Sequence, residues 1–175
     1  LALLTERDLG ELFASFRSTA FRFEIRDRYN SDVGREAFRK FLADEPDDYV
    51  WHQPWLNQIR RDRAAGKTWQ RIRIVTVPLS DWSRYGIAVA RTGLEAGDEI
   101  RYLRRETAYE LGLDPLDAWL FDDRDLIHLH FNDDDTFRGA EAVTDPQVVA
   151  EHRCWRDLAW QHALALEDFV ASVSP

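Results

Sequence analysis

Methionine is absent from this chain of 175 residues, and cysteine occurs once, at Cys154. A single cysteine excludes an internal disulfide and suits a reducing compartment. No apolar run reaches the roughly eighteen residues that a membrane-crossing helix needs. Leu1-Ala2-Leu3-Leu4 is shorter than the apolar core of a secretion signal and has no basic lead, so the expected setting is cytoplasmic. Basic charge is also scarce. Lys and Arg number 23 against 32 Asp and Glu, a net charge of −9. That balance excludes a broad cationic surface for nucleic acid, while leaving room for a local basic patch. Repeats, low-complexity segments and clear linkers are all missing.

Aromatic residues are plentiful, with seven Trp and ten Phe, which argues against disorder. The length suits one domain, 1–175, with a substantial core. Thr5 to Phe16 reads as a helix, since Thr5 and Asp8 stand at capping-box spacing and Leu9, Leu12, Phe13 and Phe16 form one stripe. From Ala20 to Tyr29 apolar and polar residues alternate. Phe21, Phe23 and Ile25 face one way and Arg22, Glu24 and Arg26 the other, the pattern of a half-buried strand with Glu24 outward. Asp32 to Ala43 predicts a helix with Val33, Ala37, Phe38, Phe41 and Leu42 inward. Pro54 to Ala65 predicts another, opened by Pro54 and closed by Gly66.

The second half reads differently. Arg71 to Leu79 alternates as a strand. Ser80 or Asp81 can cap a helix to about Leu94. Ile100 to Arg104 is a short strand and Glu106 to Leu111 a short helix. Ala118 to Phe121, Leu126 to Phe131 and Thr136 to Val143 read as strands, and Thr144-Asp145-Pro146-Gln147 opens a long final helix. Its stripe runs Val148, Val149, His152, Trp155, Leu158, Ala159, His162, Ala163 and Leu166. Trp155 should be buried, Cys154 should be a buried bystander, and Trp160 either closes a core edge or offers an exposed anchor. Interleaved strands and helices predict an α/β fold, with α+β as the variant, built on a mixed sheet with flanking helices.

Candidate sites are few. His128 and His130 share a strand face, and Glu141 on the next strand is the nearest third ligand for a metal. Two polar residues on a solvent face explain the pair more simply, so no metal and no cofactor is expected. Arg60, Arg61, Arg63 and Lys67, with Trp69 as a stacking platform, can form a phosphate or ligand contact. A solvated helix face paired with the acidic Asp44 to Asp48 segment is the simpler reading.

Two resemblances add to this. Ser15-Phe16-Arg17-Ser18-Thr19-Ala20-Phe21-Arg22-Phe23-Glu24, Lys67-Thr68-Trp69-Gln70-Arg71-Ile72, Trp119-Leu120-Phe121-Asp122 and Trp155-Arg156-Asp157 resemble an uncharacterised actinobacterial family of unknown function. Its members are often encoded beside helix-turn-helix regulators. Residues 67–175 also resemble, more distantly, one half of a phospholipase D-like domain, preceded by a helical portion with one strand, 1–66. That superfamily uses His-x-Lys-x4-Asp. Aligned on Asp122, the His position is Pro115 and the Lys position Asp117, and Gly139-Ala140 stands where active members keep Gly-Ser. The resemblance therefore implies a scaffold without its chemistry. The expected function is a non-enzymatic regulatory or sensor protein in transcriptional control. Its expected partner is a helix-turn-helix regulator or a second copy of itself, without tight nucleic-acid binding of its own. The alternative is a phosphodiesterase or nuclease, toxin-like among its forms, with an unrecognised active site.

Overall fold

The computed structural model describes residues 3–173. The helix α1 (Glu6–Ser15) starts where the capping box places it: Thr5 Oγ1 accepts from the Asp8 amide at 3.2 Å, and Asp8 accepts from the Thr5 amide at 2.8 Å. The chain continues through β1 (Thr19–Glu24), α2 (Arg35–Leu42), a 3-10 turn at Val50–His52, α3 (Gln53–Ala64), β2 (Thr68–Val75), α4 (Asp81–Ala96), β3 (Asp98–Arg104) and α5 (Arg105–Glu110). It closes with β4 (Ala118–Phe121), β5 (Asp125–Phe131), β6 (Phe137–Val143), α6 (Pro146–His162), β7 (Leu164–Ala165) and α7 (Leu166–Val173).

The strands form one mixed α/β sheet of seven in the order β6-β5-β4-β1-β2-β3-β7. β1, β2 and β3 run parallel, because helical crossovers join them. The hairpin β4-β5-β6 and the short β7 add antiparallel edges. β1 belongs to the portion before residue 67, yet it lies at the middle of the sheet between β4 and β2.

Both sheet faces are covered. On one, Phe21, Phe23, Ile72, Ile74, Leu103, Leu120 and Leu126 pack under α5 and α6. On the other, α1 and α3 cover an aromatic cluster of Phe13, Phe16, Trp55, Trp69, Trp119 and Phe121, with ring centroids 5.0 to 6.0 Å apart. α4 and α7 cover the end near Tyr102, where Phe169 stacks on the tyrosine at 5.0 Å. β1 is thus buried on both sides rather than half-buried. Arg22 is only 4% exposed, and Glu24 points into the covered face instead of outward.

Four more expectations change. Helix α2 begins at Arg35, and Val33 and Leu42 are exposed instead of inward. The last helix stops at His162, because Ala163 turns extended and β7 intervenes before α7. Cys154 is exposed, and so is His162. Trp155 is half-buried at the margin of the core, although His152, Ala159 and Ala163 of the same stripe are buried. Trp160 is half-buried as well and carries the Arg101 guanidinium 4.5 Å above its ring.

Trp69 is the clearest core anchor, 1% exposed and donating to Asp62 at 3.2 Å. Trp69→Ala is expected to cost about 3–5 kcal/mol, as buried aromatic truncations do. Trp155→Ala should cost below about 2 kcal/mol, because less area leaves water. Urea denaturation of both variants gives the comparison, and equal losses would contradict this packing.

Candidate functional site

Strand alternation puts Arg22 and Glu24 of β1, Arg71 and Arg73 of β2, Asp98 and Tyr102 of β3 and Trp119 of β4 on one sheet face. Such a row would normally face water. Here α1, α3 and α4 stand over it and leave a cavity of about 850 Å³ between helices and sheet. Its floor is charged and its walls are aromatic, with Trp51, Trp55, Trp82, Tyr85 and Trp119 among the lining residues. Gly86 and Gly93 face the floor from α4. A Cβ on Gly86 would collide with Arg73 Nη1, so glycine lets the helix approach the guanidinium.

The floor charges are paired with each other. Glu24 holds Arg71 through one carboxylate oxygen and Arg73 Nε through the other, at 2.7 Å. Arg71 also reaches Asp98 at 3.3 Å. Burial would raise the Glu24 carboxyl, but the charges of Arg71, Arg73 and Arg22 override it and hold it at about 2. Burial pushes the Asp98 carboxyl up, with Arg71 opposing. Arg22 Nη2 donates to Asp117 at 2.6 Å, and Tyr29 donates to the same oxygen at 2.6 Å. Burial raises Asp117 too, with Arg22 opposing. On the wall, His52 lies against Trp51 and meets Thr92 Oγ1 at 3.2 Å. Burial, then the Arg71 charge, lowers it to about 4, so it is neutral at pH 7.

The positions singled out from the sequence lie elsewhere or serve the fold. Pro115 is buried in the loop before β4. Asp117 is the buried partner of Arg22 and Tyr29, just behind the cavity floor. Asp122 accepts from the amides of Arg17, Ser18 and Thr19 at 2.8, 2.7 and 3.0 Å and from the Ser18 hydroxyl. It pins the turn between α1 and β1, and these donors overcome its partial burial to hold its carboxyl at about 2. Gly139 lies on β6, separated from β4 by β5, beneath Leu3.

The basic cluster does not converge. Arg60 bonds Asn57, Arg61 bonds Gln58, Arg63 pairs with Glu99, and Lys67 pairs with Asp62. Trp69 is buried and offers no stacking platform. The acidic segment pairs with α2 instead, through Arg39–Glu45 and Lys40–Asp47. His128 turns to His152, Nε2 to Nε2 at 3.1 Å, while His130 meets Glu141 at 2.9 Å. Burial lowers His128 to about 4 and lowers His152 as well. Among the described residues no three His, Cys, Asp or Glu are grouped to hold a metal ion. Arg22, Glu24, Arg71 and Arg73 were visible as alternating polar residues. The signal for a site was that β1 alternates Arg22 and Glu24, and β2 alternates Arg71 and Arg73, with strongly apolar residues.

Arg22→Met should cost about 3–5 kcal/mol by stranding Asp117, and Asp117→Asn in the same chain should recover much of it. Urea midpoints of the single and double variants test this. Asp122→Ala should cost about 2 kcal/mol at neutral pH, the scale of hydrogen bonds to a charged acceptor. The Asp122 pKa is depressed on folding, from 3.8 to about 2. Its contribution is therefore present above pH 3.8 and lost as pH falls toward 2, so the gap between wild type and Asp122→Ala should close across that window.

Comparison with curated proteins finds no match. The model of one family, a domain of unknown function designated DUF6879, matches residues 7–171, and the chain belongs to that family.

Proposed function

We propose that this protein is a non-enzymatic regulatory sensor: a small molecule occupies the cavity, and occupancy is passed to a protein partner in transcriptional control. One observation carries the reading. The segment that forms the outer wall of the cavity also bears exposed apolar side chains. Val33, Leu42 and Val50 are 68%, 55% and 63% exposed, and Val33 lines the cavity beside Trp51. Phe38 and Phe41 hold this segment to Trp82 and Tyr85 of α4. A ligand that moves α4 or Trp51 therefore moves the apolar surface that a partner would read.

The chemistry of the degenerate motif supports a non-catalytic scaffold. Pro115 brings no nucleophile, Asp117 is neutralised by Arg22, and Asp122 is engaged by main-chain amides. The resemblance to an actinobacterial family encoded beside helix-turn-helix regulators supports such a regulator as the partner. Self-association is the other outcome. Net charge of −9 favours DNA contact through the partner rather than directly. Among the described residues, no helix is long and apolar enough to cross a membrane.

Affinity capture from the native host should recover a helix-turn-helix protein with wild type and lose it with Val33→Glu plus Leu42→Glu. The same purified protein should leave a model phosphodiester intact. Hydrolysis that disappears in Asp122→Ala would replace this reading with the phosphodiesterase alternative.

A further inference from the structure

His52, on the cavity wall, keeps a hydrogen-bond acceptor free. The Thr92 hydroxyl carries one proton and donates it to the Val89 carbonyl at 2.8 Å. Thr92 Oγ1 also meets His52 Nδ1 at 3.2 Å. Both bonds are made only if Nδ1 carries the imidazole proton and donates to Thr92. The neutral ring then leaves a bare lone pair on Nε2. Burial, then the Arg71 charge, keeps the ring neutral at pH 7. Among the described residues His52 makes no hydrogen bond besides the one through Nδ1. Trp51 stacks on the imidazole at 4.9 Å with the planes 21° apart. Stacking on one side and Thr92 on the other fix the ring, and Nε2 is the nitrogen left for a ligand.

The charged floor is already matched. Asp117 balances Arg22, and Glu24 and Asp98 balance Arg71 and Arg73. Gly86 of α4 closes over the terminal nitrogens of Arg73. A carboxylate or an ammonium entering here would lose its hydration and find no unpaired counter-charge. An uncharged molecule avoids that cost. The walls favour a ring, since Trp51, Trp55, Trp82, Tyr85 and Trp119 all line the space. Aromatic pairs gain beyond the area that they bury. A volume of about 850 Å³ falls in the range of small-molecule sites and admits two or more fused rings.

Building on the sensor reading, we propose that the cavity binds an uncharged fused-ring aromatic molecule whose N–H or O–H group donates to His52 Nε2, its rings lying against the tryptophans. Indole and 2-naphthol have this chemistry. Methylation of the indole nitrogen keeps the rings and removes the donor. A carboxylate in place of the hydroxyl sets lone pair against lone pair. A saturated ring system keeps the donor and loses the aromatic face.

The test is isothermal titration calorimetry on the whole chain with indole, 1-methylindole, 2-naphthol, 2-naphthoate and decahydro-2-naphthol. Indole and 2-naphthol should bind. 1-Methylindole should bind about fivefold more weakly than indole, the scale of one neutral hydrogen bond. 2-Naphthoate should bind at least about tenfold more weakly than 2-naphthol, as an unpaired charge is buried. Decahydro-2-naphthol should also bind more weakly than 2-naphthol, because the ring contacts are lost. His52→Phe keeps a ring beside Trp51 and removes Nε2, so indole should fall to the affinity of 1-methylindole. A penalty due only to the bulk of the methyl group would persist in His52→Phe, and that persistence would overturn the proposal. So would 1-methylindole binding wild type as well as indole, 2-naphthoate binding as well as 2-naphthol, or no binding by either donor. The ligand series on wild type decides the matter even if His52→Phe fails to fold. Binding of indole or 2-naphthol with partner capture unchanged would keep the ligand assignment and defeat the sensor reading. Partner capture that responds to 2-naphthoate alone would do the reverse.

Discussion

Glu24 places one carboxylate between two guanidinium groups, and the helical cover of the sheet depends on that pairing. Arg22, Glu24, Arg71 and Arg73 sit on adjacent central strands, under α1, α3 and α4. Each would be expensive alone in such a place, since a stranded buried charge costs several kcal/mol. Together they neutralise one another, and the covering helices can close over them. Close approach of α4 also requires Gly86 opposite Arg73. Remove the pairing and the face must open to water, taking the aromatic walls with it.

Buried ion pairs of this kind are weak evidence for stability, because apolar replacements of similar size often do as well. The opposite sheet face makes the contrast. There, Phe21, Phe23, Ile72 and Ile74 fill the same strands with ordinary apolar packing under α5 and α6. A charged floor on one side of β1 and β2, with an apolar core on the other, is the departure from simple packing that points to a binding surface. Tyr102, register-paired with Arg73, falls on this side as well.

Asp122 illustrates how one residue admits two readings. In the linear sequence, an aspartate ending a short apolar strand after Pro115 and Asp117 resembles the remains of a catalytic motif. In the fold, β4 lies antiparallel to β1, so the residue after Phe121 meets the turn leading into Thr19. Its carboxylate then finds three main-chain amides. The same strand pairing brings Asp117 to Arg22 across 95 positions of sequence.

Local chemistry was enough to determine the elements. The Thr5–Asp8 capping box, the alternation in β1 and β2, and Pro146 in the first turn of α6 each act within a few residues; the two helices start at those signals, while β1 ends at Glu24 rather than Tyr29 and β2 runs from Thr68 to Val75 rather than from Arg71 to Leu79. The α/β class followed from the same signals. Sequence alone also showed which residues share a strand face, because that depends only on a period of two. Whether that face meets water is a question of what packs on it. Only the tertiary structure decided that α1, α3 and α4 cover Arg22, Glu24, Arg71 and Arg73. It likewise decided that Trp69 is interior and that Val33 and Leu42 stay outside. Pattern fixes periodicity within an element, whereas burial and charge pairing arise from contacts between strands and helices far apart in the chain.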